Sequence, residues 1–160
     1  MTTTALPHWD MSVVYSSLDS PEFALDFAAA LGEIDALVAL FDTHRIDKRE
    51  RAPLDEAMVA AFDAVVAALN KVYERAHTLR AYIYSFVATN SRDTQAQARL
   101  SEFQQAAVRL SQLSIRFTAW IGSLDVDALL ERSAVAREYT FLLHEAQRQA
   151  EQLMTPAEEA

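Results

Sequence analysis

An all-α fold made of long antiparallel helices is what this sequence predicts, and three observations predict it. Only two glycines and four prolines occur in 160 residues, so few positions interrupt a helix. Apolar residues recur at steps of three and four through four long segments, with no strand-period run among them. Capping residues stand where those segments begin. About four long helices and one short one are expected, arranged as hairpins or a bundle, behind an extended N-terminal arm.

The arm is residues 1–20, which lack a helical period. Pro7, Trp9 and Asp10 lead into a short apolar patch at Met11, Val13, Val14, Tyr15 and Leu18. Its aromatic residues are expected to lie against the body. The body is residues 21–160. Ser20-Pro21-Glu22 is an N-cap followed by proline and an acid, the usual order at a helix start. From Phe23 through Phe27, Ile34 and Leu37 to Phe41 one apolar stripe follows, and Glu33, Asp35 and Asp42 fall on the other face. The stripe fades in the charged stretch from His44 to Arg51.

Pro53 is expected to start the second helix, with Asp55 and Glu56 in its first turn facing the positive end of the dipole. Its stripe continues to Phe86 and Val87 without glycine or proline, ending at Asn90-Ser91. Such a helix is about 55 Å long, longer than a compact domain of this size is wide. Part of it is therefore expected to project or to support another lobe. Asp93 opens a third helix, whose stripe includes Leu100, Phe103, Leu110, Phe117 and Trp120. Gly122 is expected to end it in the left-handed conformation. A short helical turn follows over 123–131. Ser133 then caps a fourth long helix with Val135, Tyr139, Leu142, Leu143, Ala146 and Leu153 on its buried side. Short connections make these helices antiparallel neighbours.

The formal net charge of -9 disfavours binding a phosphate backbone through bulk electrostatics, so no nucleic-acid partner is expected. The absence of cysteine excludes disulfides and thiolate zinc sites and agrees with a reducing compartment. No secretory leader pattern opens the chain, and charges interrupt every apolar stretch short of a bilayer span. A cytoplasmic protein with no membrane partner is the expectation.

Two constellations resemble metal motifs and fall short of them. His144-Glu145 begins like the zinc helix H-E-x-x-H, but the position of the second histidine is Arg148, a fixed cation. Glu74 and His77 have the E-x-x-H spacing of di-iron bundles, which need a second such motif and two more carboxylates. Neither a phosphate-binding glycine loop nor a local nucleophile signature is present. The sequence thus assigns no catalytic, cofactor-binding or metal-ligating residue. Tyr82, Tyr84 and Phe86 crowd one stretch of the second helix; residues two apart face different sides, so this segment is either buried all round or an interaction surface.

Several segments in order resemble a known family. Leu6-Pro7-His8-Trp9-Asp10 and Leu18-Asp19-Ser20-Pro21-Glu22-Phe23 resemble the start of bacterial oligoendopeptidase F proteins, zinc metallopeptidases of the thimet-oligopeptidase type. His77-Thr78-Leu79-Arg80-Ala81-Tyr82, the Asp93-to-Arg99 segment and the run from Glu138 through Phe141-Leu142-Leu143 to Glu159 are similar to later helices of that family. The resemblance implies an N-terminal helical region that walls one side of a peptide-binding cleft. The zinc, its H-E-x-x-H helix and the third glutamate ligand belong to the C-terminal half of that family, to which no position here corresponds. The implied partners are that catalytic region and, in the intact enzyme, short peptides. At the other end, Thr155-Pro156-Ala157-Glu158 has the order of a capping box with proline at the first helical position. The chain is accordingly expected to break off at the start of a further helix, to expose apolar faces and to self-associate. The alternative is a stand-alone helical binding or scaffold protein docking through residues 82–86.

Overall fold

The computed structural model describes residues 10–152 and is all-helical, with six helices and no strand among those residues. The first is α1, Pro21–Thr43. Ser20 caps it by accepting the Phe23 amide, and Pro21 lies in its first turn. Its end is built by a device the sequence does not advertise. The Ile46 amide donates back to the Phe41 carbonyl at 2.8 Å and the Arg45 amide to that of Asp42 at 3.2 Å. Those bonds make a Schellman turn, and its left-handed position is held by Arg45 at φ 51°. The apolar pair that accompanies such a turn is Phe41 and Ile46, both fully buried.

Helix α2 spans Glu56–Thr89 and α3 spans Thr94–Gly122. The expected start of α2 at Pro53 moves three residues on. Asp55 keeps an extended backbone and accepts the Met58 amide at 2.7 Å, so it is the cap rather than a first-turn residue. Asp93 caps α3 in the same way through Ala96. Cross-links fix the directions. Arg75 of α2 reaches Asp26 and Glu33 of α1, while Arg109 and Arg116 of α3 reach Asp35 and Asp42 of α1. Thus α1 and α3 run the same way with α2 antiparallel between them.

Helix α2, 34 residues and roughly 51 Å, does not project bare. Its buried positions extend from Ala61 to Ile83, because α3 is nearly as long and the arm folds over the far end. Residues 10–20 do this as consecutive turns rather than a straight extended strand. Tyr15 packs edge-on against Phe23 and Tyr82, with ring centres 5.4 and 4.9 Å away. The Tyr82 hydroxyl donates to the Tyr15 carbonyl at 2.9 Å. A second aromatic group, Phe41, Phe62, Phe117 and Trp120, fills the other end of the core.

Gly122 does not adopt a left-handed conformation; it is the last residue of α3, and Ser123 follows with helical dihedrals. Its role is space. A Cβ there would stand 2.3 Å from the Ala150 Cβ, so glycine permits the close passage of the last helix. The expected fourth long helix is also broken. After α4, Val126–Arg132, it divides into α5, Ala134–Glu138, and α6, Thr140–Ala150, around Tyr139 at φ -110° and ψ 20°. Asn70 on α2 donates to the Tyr139 hydroxyl at 2.8 Å, which pins the bend. Helix α5 lies by α2, and α6 turns away to run beside α3 towards Gly122. The bend takes Leu142 off the buried stripe: it is 59% exposed, whereas Leu143 is buried. Leu153, Trp9 and the capping order at Thr155 lie outside the described residues.

Candidate functional site

The two metal-like motifs are separate surface features. Glu74 and His77 are exposed on α2. His144 on α6 faces Asp127 of α4 at 3.9 Å, and Arg148 pairs with Glu145 one turn back. No group of three or more His, Asp or Glu side chains capable of holding a metal is found among the described residues.

The aromatic segment of α2 divides between the two readings. Tyr82 is core, Phe86 is partly covered, and Tyr84 points out, 58% exposed. Around Tyr82 the arm and the end of α2 border a cleft of about 490 Å³. Its electrostatics come from the arm's docking. The Ser16 hydroxyl, donating to Glu22, pulls that carboxyl down to about 2. Burial raises both Tyr15 and Tyr82, and the Tyr15 hydroxyl donates to Asp26. These bonds secure the arm against α1.

Where α6 rests on α2 and α3 there is an apolar groove of about 210 Å³, lined by Phe62, Leu69, Tyr73, Phe117, Leu142 and Ala146 among others. Next to Leu142 on α6, Phe141 is 73% exposed; on α3, Val108 and Ile115, two turns apart on one face, are exposed as well. Phe141 and Leu142 together leave an exposed apolar pair at the edge of that groove.

The opposite character prevails where the Schellman turn delivers residues 48–51 onto the end of α3. Lys48, Arg49 and Arg51 border an open cleft of about 750 Å³ with Ser123, Gln147 and Arg148. The Arg49 guanidinium lies over the Trp120 ring, 5.6 Å from its centre, and the Arg49 amide donates to the Ser123 hydroxyl at 3.1 Å. The Arg49 Nη2 and the Trp120 Nε1 are the two buried side-chain polar atoms without a hydrogen-bond partner among the described residues. Comparison of the chain with family models, curated proteins and solved structures produced no match in any of the three.

Sequence reasoning missed the Arg49–Trp120 cluster. Residues 44–51 read as a charged stretch where a helix fades, and Trp120 as one more member of a stripe. The signal was present in the run Lys48-Arg49-Glu50-Arg51, dense in cations within an acidic chain, but only the reverse turn at Arg45 brings it to Trp120. Among the described residues no helix is long and apolar enough to cross a membrane.

Proposed function

We propose that this chain is a non-catalytic N-terminal helical region of an oligoendopeptidase F-like zinc metallopeptidase, forming part of the wall of a cleft that admits short peptides. The ordered resemblance of its segments motivates the reading. The observation that carries it is the exposed apolar pair Phe141 and Leu142, the second of which lines the α2–α3–α6 groove; such a pair suits burial against a further region of such an enzyme. In that enzyme zinc would polarise the scissile carbonyl from residues outside this chain. Here the helices supply a rigid wall. The fit rests on α6, whose greasy outer side a self-contained bundle would have little reason to keep.

The purified chain is expected to hydrolyse no quenched oligopeptide, with or without added zinc. Zinc-dependent cleavage that copurifies with the chain would overturn the reading. The chain is also expected to bind a hydrophobic dye and to self-associate, and Phe141→Ser with Leu142→Gln should diminish both while leaving helix content unchanged. Exposed Tyr84 favours the second reading, a stand-alone binding protein. That reading instead expects a monodisperse chain, with partner capture lost in Tyr84→Ala.

A further inference from the structure

We propose that the open cleft formed by residues 48–51, the end of α3 and α6 docks an acidic peptide segment, one that carries several spaced carboxylates. Elsewhere the cations of this chain are matched by acids close at hand. Lys71, Arg75, Arg109 and Arg116 all pair with carboxylates of α1. Here the balance reverses. Lys48, Arg49, Arg51 and Arg148 line one cleft of about 750 Å³ against a single lining carboxylate, Glu151. Of the four, only Arg148 has an ion-pair partner among the described residues, Glu145. Like charges gathered in this way repel one another, and an anionic occupant relieves that repulsion. Lys48, Arg51 and Arg148 are exposed and open to contact, while Arg49, with its Nη2 buried, adds its charge.

The arrangement indicates what kind of anion fits. The cations come from two elements, the loop after α1 and helix α6, and both rest on the end of α3. Charges set on separate elements suit separate carboxylates along a chain better than one compact ion. The lining between them includes the small residues Ala119, Gly122 and Ala150, over which a peptide backbone can approach closely. Gln147 lines the same cleft. Its Nε2 donates to the Leu124 carbonyl at 3.3 Å, which leaves its oxygen to accept a peptide N–H. A nucleic acid fits less well. Among the described residues no Phe, Tyr or Trp lines the cleft to stack a base, and a net charge of -9 opposes a phosphate backbone more than a peptide of a few carboxylates. The site is independent of the peptidase reading, since it uses side chains other than Phe141 and Leu142 and binds without cleavage.

Fluorescence anisotropy with the full chain tests it, using a short rhodamine-labelled peptide, blocked at both ends, in which glutamates alternate with glycines. Saturable binding is expected at low ionic strength. It should weaken as salt is raised, because exposed charges are screened beyond about 10 Å at 0.1 M. The counterpart with glutamine in place of glutamate should bind about tenfold more weakly or not at all. Lys48→Ala with Arg51→Ala should weaken the glutamate peptide by about tenfold. Both residues are exposed, so helix content should be unchanged. Arg148→Gln, on the α6 side, should weaken it several-fold. Lys48→Glu with Arg51→Glu should turn the preference towards a lysine peptide. Equal binding of the glutamate and glutamine peptides, or parental affinity in the double alanine variant, would overturn the proposal. Displacement of the bound peptide by inorganic phosphate, or by a single-stranded oligonucleotide, at lower concentration than by unlabelled peptide would do the same.

Discussion

Arg45 shows what one residue can conceal. An L side chain in the left-handed region costs roughly 1–2 kcal/mol, yet α1 ends there on an arginine at φ 51°. The burial of Ile46 against Phe41 and the two return bonds outweigh that cost. Arg45→Gly is expected to raise stability by about 1 kcal/mol, read from the denaturant midpoint; a loss would contradict the turn. Gly122 is the converse case. Gly122→Ala should destabilise by about 1–3 kcal/mol through its collision with Ala150. Combining it with Ala150→Gly should return most of the loss, which a general helix effect at residue 122 would not do. Glu22 carries a pH signature. Its folded value, about 2, lies below the ordinary 4.5 because of Ser16. Its stabilisation is thus present above pH 4.5 and lost as pH falls through 2. The stability difference between the parent and Glu22→Gln should shrink across that window, whereas a constant difference would remove the Ser16 bond from the explanation.

Among the elements, caps were the legible part. Ser20, Asp93 and Ser133 read correctly from their positions before apolar runs, and the structure uses each side chain to accept an amide. Asp55 was misplaced because Pro53 offered a competing start signal; an acid that accepts the Met58 amide defines the first turn more strongly than a proline two residues earlier. The bend at Tyr139 had no local signal. Glu138-Tyr139-Thr140 contains neither glycine nor proline, and the bond that the bent Tyr139 makes comes from Asn70 on a distant helix. The Arg49–Trp120 cluster was hidden for the same reason, since it joins residues far apart in sequence. Ser133 works at this scale too. It is buried, caps α5 through Ala136 at 2.9 Å and donates to Asp63 of α2 at 2.5 Å. Ser133→Ala is expected to cost about 2 kcal/mol in equilibrium unfolding, more than an exposed cap, because Asp63 loses its partner as well.

At the scale of the whole molecule, α1, α2 and α3 share one core from Tyr15 to Trp120, and ion pairs stitch its surface. Arg75 is central, bridging Asp26 and Glu33 with only 29% of its side chain exposed. Arg75→Gln should destabilise by about 1–2 kcal/mol, with part of the deficit erased in high salt. Against this body α6 is held differently. Leu143 is its one buried residue; Ala146 packs partly covered against the core, Gln147 donates to the Leu124 carbonyl at 3.3 Å, and Ala150 passes closely over Gly122. With a single buried side chain, α6 is expected to open before the body unfolds. Its amide protons should exchange with deuterium well ahead of those in the middle of α2, by a route that leaves the three-helix core shut.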